Sequence, residues 1–80
     1  MNNRKFPDDA KIGDKVIFKS DEEKEDYQRI VGYSTSDIIY GIITNIVDNI
    51  GVYVNWINHK GIRIHKTSAI YLYRLKFYEG

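Results

Sequence analysis

His59 and His65 are the only histidines in this chain of 80 residues, and it contains no cysteine. Zinc sites are built from several His, Cys or carboxylate ligands at short, regular spacings. Two histidines six residues apart, one in a turn and one on a strand, do not supply such a set. The carboxylates are no better placed for acid–base chemistry. They gather in one polar run, Asp21-Glu22-Glu23-Lys24-Glu25-Asp26, which reads as a solvated loop and not as a pair flanking a cleft. No GxSxG, HExxH, P-loop or dinucleotide fingerprint is present. The reactive residue types therefore point to a chain that is not an enzyme and uses no metal or cofactor.

What the chain does offer is recognition chemistry. Lys15, Lys19, Arg63, His65, Lys66, Arg74 and Lys76 would form a basic surface able to meet phosphates, and Tyr53 and Tyr73 present rings on which a base can stack. Asn55 adds hydrogen bonding, and these ten residues are the candidate nucleic-acid or partner-binding set. The formal net charge is only +1, well short of the basic balance typical of backbone-driven nucleic-acid binding. The charge is unevenly spread, however. Residues 58–80 carry five cations against one carboxylate, while residues 21–29 carry two against five.

These side chains must be positioned by a sheet. Asp48-Asn49-Ile50-Gly51 and Asn58-His59-Lys60-Gly61 share one form, an Asx residue followed three places later by glycine. That is the pattern of a type I turn closed by a left-handed glycine, so the stretch from Tyr40 to His65 is expected to be a three-stranded meander. With Asp48 opposite Val52 and Asn58 opposite Ile62, one face collects Ile42, Ile46, Val52, Val54, Trp56, Ile62 and Ile64 as core. The other face collects Ile43, Ile57, Arg63, Asn45, Asn55, His65, Val47 and Tyr53, and is either solvated or a recognition surface.

Around this centre the remaining segments are shorter. Residues 1–10 read as an extended arm that Phe6 could anchor, since Pro7 drives its predecessor away from helical backbone. Lys15 to Lys19 is a strand with Val16 and Phe18 inward. Ser20 and Glu23 have the spacing of a capping box, which predicts a short helix over about Asp21 to Arg29, or a turn in its place. Ile30, Val31 and Tyr33 could tuck that acidic insertion, residues 20–37, against the sheet. Lys66-Thr67-Ser68-Ala69 reads as a helical turn, and Ile70 to Tyr78 as a last strand. Gly41 inside a strand marks a bend or a close approach.

A chain of this length is one domain with a modest core. The start of the chain is polar, no apolar run approaches the ~20 residues of a membrane span, and cysteine is absent. The expected setting is soluble and cytoplasmic, with no membrane partner.

With the pieces placed, the chain resembles the SH3-like small β-barrel group that includes KOW and Tudor modules and many small phage and bacterial modules. The resemblance rests on Ile12-Gly13-Asp14-Lys15-Val16, Gly41-Ile42-Ile43-Thr44, Val52-Tyr53-Val54-Asn55-Trp56 and a helical turn before a last strand around Leu72. It covers about 60 residues. It implies a mainly β fold, a five-stranded barrel over residues 11–80 behind the arm, and a non-enzymatic binding module. Two functions follow as expectations. One is contact with nucleic acid or a nucleoprotein assembly through the outer face of the meander. The other is protein–protein interaction, as in a small phage-encoded regulator or inhibitor, with a partner from the transcription, translation or DNA-processing machinery. Deleting residues 21–36 should spare function under the first and abolish it under the second.

Overall fold

The computed structural model describes residues 4–32 and 34–80, and of Lys66 and Ser68 the backbone alone. Its elements are β1 (Lys15–Phe18), α1 (Asp21–Val31), β2 (Ile38–Ile46), β3 (Gly51–Asn58), β4 (Arg63–Tyr71), a 3-10 turn (Leu72–Arg74) and β5 (Leu75–Phe77). The strands form one antiparallel sheet in the order β4-β3-β2-β1-β5. The expected meander makes up one side of it, with β4 at the edge, and β1 and β5 make up the other. β1 changes partners midway: Lys15 and Val16 pair with β2, while Val16, Ile17 and Phe18 pair with β5. Among the described residues no ladder joins β4 to β5, so the fold is mainly β with one short helix and one five-stranded sheet.

The second hairpin follows the sequence reading. Asn58 Oδ1 accepts from the backbone N–H of Lys60 at 2.9 Å and of Ile62 at 3.0 Å, and Gly61 sits at φ 77°. The first hairpin does not. Asp48 Oδ1 accepts from Ile50 N–H at 2.7 Å and Gly51 N–H at 3.1 Å. Gly51 lies outside the positive-φ region and simply opens β3. Residues 47–50 form the connection, and Ile46, not Asp48, stands opposite Val52.

Three register shifts, at Ile39 and Thr44 of β2 and at His65–Thr67 of β4, then decide which side chains face inward. Along β3 the alternation holds, and Val52, Val54 and Trp56 are buried as expected. In β2 one extra residue at Thr44 shifts the ladder from Asn45↔Tyr53 to Ile43↔Val54, which reverses every side chain beyond it. Ile43 is therefore fully buried where an outer position was expected, and Ile42 is only half-buried. Ile46 and Ile62, also expected in the core, are exposed. Ile57 is buried on the opposite face, between Tyr40 of β2 and Arg63 of β4.

The bulge in β4 is wider: His65 to Thr67 face the single residue Asn55, and His65 takes φ 64°. Lys66 to Ala69, expected as a helical turn, thus stays in the strand, and the 3-10 turn falls later, at Leu72–Arg74. The strand expected over Ile70 to Tyr78 is split by that turn.

The core is completed by the segment that looked least able to join it. Ser20 caps α1 by accepting from Glu23 N–H at 3.2 Å, and Gly32 ends the helix in left-handed backbone at φ 78°. Tyr27 is buried against Phe18 and Trp56, with ring centroids 5.4 and 6.1 Å away, and Phe18 stacks on Trp56 at 4.8 Å. Glu23 accepts from Arg74 Nη1 at 2.9 Å. The acidic run is therefore the outer side of a packed helix and not a detachable loop. Ile30 is exposed, Val31 packs on the core, and Tyr33 lies outside the described residues.

The arm, whose residues 1–3 lie outside the described part, is not extended over the rest of its length. It turns at residues 6–9, with Asp9 N–H donating to Lys5 C=O at 2.8 Å. Phe6 packs edge-on against Phe77 at 5.1 Å, and Arg4 pairs with Asp14.

Candidate binding surfaces

The ten residues singled out by type fall into groups at opposite flanks of the sheet order. On one flank, Lys15 lies over the Tyr40 ring at 4.8 Å, Lys76 is the pairing partner of Ile17, and Lys19 lies 5.9 Å from the Tyr73 ring centre. On the other flank, Arg63 Nη2 donates to Thr67 Oγ1 at 3.4 Å and that hydroxyl donates to Asn55 Oδ1 at 2.5 Å. His65 Nε2 lies 3.0 Å from the carbonyl oxygen of Ser34. The bulge makes this network, because it brings Thr67 opposite Asn55 in place of a second outward row. Arg74 is engaged by Glu23, with both side chains largely shielded from water. The side chain of Lys66 lies outside the described residues. The basic set is thus not gathered into one surface on the meander.

Tyr53 belongs to a different feature, which reading by residue type missed. Between α1, the 47–50 connection and the ends of β3 and β4 runs a cleft of about 490 Å³. Its walls include Ile30 of α1, Val47 and Ile50 of the connection, Tyr53 of β3, and Tyr71 of β4, with Arg74 at one end. These five apolar or aromatic side chains are all exposed, from 41% for Tyr53 to 66% for Ile30. The local reasons are plain. Tyr53 stands opposite Ala69 and Gly51 opposite Tyr71, so small residues separate the two rings and leave a floor between them. Asp48 holds the connection closed from the side, which pushes Val47 and Ile50 outward.

The cleft continues past Asp48 into a more polar depression bounded by Pro7, Asp8 and Asn49. Its rim is acidic. Asp48 and Asp8 border this end, and the cation Arg74 stands in the wall of the cleft itself. Glu23 and Asp26 are neutralised by Arg74 and Arg29. Tyr71 stacks on Tyr73 at 5.6 Å, so this ring pair forms the ridge between the cleft and Lys19.

Ile50 was the signal for the cleft in the sequence. An isoleucine inside a four-residue polar turn has no core to enter. Among the described residues no group of three or more histidines or carboxylates is arranged to hold a metal ion, and no helix is long and apolar enough to cross a membrane. No protein-family model, no curated protein and no solved structure matches this chain.

Proposed function

We propose that this chain is a non-enzymatic interaction module of the SH3-like kind, and that its cleft takes an extended segment of a partner protein carrying apolar side chains flanked by basic ones. The exposed apolar walls carry this reading. Soluble monomers seldom leave contiguous aliphatic and aromatic side chains in water unless something covers them, and here five line one groove. Asp48 and Asp8 supply the charge preference, because a lysine or arginine beside the apolar anchor would meet them. The SH3-like assignment draws on the short first strand, the long meander, the 3-10 turn and a last strand returning to β1. The partner change within β1 is the kind of corner through which such a sheet closes into a barrel. A protein of the transcription, translation or DNA-processing machinery, met in the cytoplasm, fits this reading.

Panning a library of displayed linear peptides against the purified chain tests it. The expected result is enrichment of peptides pairing aliphatic or aromatic residues with Lys or Arg, lost in Ile50→Asp and Val47→Asp. Both positions are exposed, so the variants should keep the parent's thermal midpoint. Failure to enrich, or enrichment that both variants retain, overturns the proposal. A concentration-dependent dimer abolished by Ile50→Asp would assign the cleft to a second copy instead.

A further inference from the structure

We infer that the outer side of β1 and β5 is a second binding surface, separate from the cleft, for the backbone of a single-stranded nucleic acid. Val16 and Phe18 are buried, so strand alternation turns Lys15, Ile17 and Lys19 to the other side, where Lys76 stands beside Ile17. At about 3.3 Å per residue, Lys15 and Lys19 are roughly 13 Å apart, with Lys76 between them. Three ammonium groups in that length suit about three successive phosphates.

The lysines hold no carboxylate in an ion pair among the described residues: the pairs there are Arg4–Asp14, Arg29–Asp26 and Arg74–Glu23, and none involves Lys15, Lys19 or Lys76. Neither strand contributes a carboxylate to this side. Asp21 and Glu79, from the segments that follow the two strands, line one depression together with Arg4, Lys19 and Lys76.

Rings bracket the stripe at both ends. Tyr40, under Lys15, contacts Tyr78 at 5.1 Å, and the Tyr71–Tyr73 stack lies beside Lys19 with Tyr73 about half exposed. A cationic track flanked by ring faces is how sequence-tolerant proteins hold single strands, the phosphates meeting the cations and the bases stacking on the rings. A duplex fits less well. This side offers a short pair of strands and no helix or projecting ribbon to enter a groove. The nucleic-acid contact expected on the meander's outer face therefore moves to the opposite flank. Arg63, His65 and Asn55 have no part in it.

The test is fluorescence anisotropy of a fluorescein-labelled oligo(dT) at several salt concentrations, using the full chain. Binding should be weak and salt-sensitive, with log K falling against log salt at a slope of about −2, from roughly 0.7 per phosphate for three contacts. Lys15→Gln with Lys76→Gln should flatten that slope to about −0.7, the value for one remaining contact. Tyr73→Ala should weaken binding by about 5- to 150-fold and leave the slope unchanged, since stacking releases no counterions. Ile50→Asp should leave binding intact, which separates a failure here from a failure of the cleft reading. Absence of binding at low salt overturns the inference. So does a slope that the lysine variants do not alter, equal loss in Arg63→Gln, or tighter binding to the duplex or to anionic lipid vesicles.

Discussion

Replacing Gly41 by alanine should remove a large part of this domain's stability. A Cβ at position 41 would lie 2.2 Å from Val54 Cγ1 and 2.7 and 2.8 Å from two carbons of the Trp56 ring. Carbon atoms pack at about 3.5–4.0 Å, so these overlaps must be relieved by moving neighbours. Val54 and Trp56 are both 0% exposed, so neither sits at the surface where it could swing out into solvent. Overpacking typically costs about 1–3 kcal/mol, and two immobile neighbours put Gly41→Ala near about 3. At about 0.05–0.15 kcal/mol per residue the whole domain has roughly 4–12 kcal/mol. Val54→Ala alone should cost about 2 kcal/mol, from lost methyl burial and the cavity left behind. It also removes the worst clash and gives the Trp56 ring somewhere to go. The double variant should therefore lose about 3 kcal/mol and not the sum of about 5, a coupling of about 2. Urea unfolding followed through the fluorescence of Trp56, the single tryptophan, measures all three. If Gly41→Ala costs under about 0.5 kcal/mol, or the double variant loses the plain sum, the packing argument is refuted.

Other perturbations have equally definite outcomes. Ser20→Ala should cost about 1 kcal/mol by removing the cap on Glu23 N–H, and an unchanged urea midpoint would mean the cap contributes nothing. Tyr27→Ala should cost about 3–5 kcal/mol and loosen α1, so limited proteolysis would open first at residues 21–31 in the variant and not in the parent. Deleting residues 21–36 should unfold the domain for the same reason. Asp14 titrates below its ordinary value of 3.8 because the Arg4 guanidinium hydrogen-bonds its carboxylate. Its contribution is thus fully present above pH 3.8 and fades as the pH falls through the lower folded value. The stability gap between the parent and Asp14→Asn should narrow on acidification below that point, and a gap independent of pH would count against the pairing.

How far the fold could be read depended on whether neighbouring residues differ. β3 alternates strictly, Val52-Tyr53-Val54-Asn55-Trp56, and its inward face was legible, as were the Ser20 cap and the Asn58–Gly61 turn. In β2 the chain carries Ile38-Ile39 and Ile42-Ile43, so either parity offers an isoleucine to the core and the pattern cannot announce a bulge at Thr44. The β4 bulge was hidden likewise, since His65-Lys66-Thr67 is polar whether it extends or turns. Tyr27 was missed because one ring in a charged run makes no apolar stripe. The cations were visible by type, but their grouping depends on pairing across the sheet, which those bulges set. The cleft arises only when three separate segments meet.

The change of partners within β1 has a kinetic consequence. Val16 pairs with Phe77 across most of the chain, whereas the two meander hairpins close through loops of a few residues. Closing a long loop costs more entropy before any contact rewards it, so the meander should assemble first and the β1–β5 zipper last. Asn58→Ala, in the turn, should then mainly slow refolding, while Leu75→Ala should mainly hasten unfolding. Stopped-flow fluorescence resolves the two limbs. A Leu75→Ala variant that refolds as slowly as Asn58→Ala would place the zipper in the nucleus and reverse this order. If the order holds, how long the native state survives is set at the β1–β5 seam, and how fast it forms is set at the far hairpin.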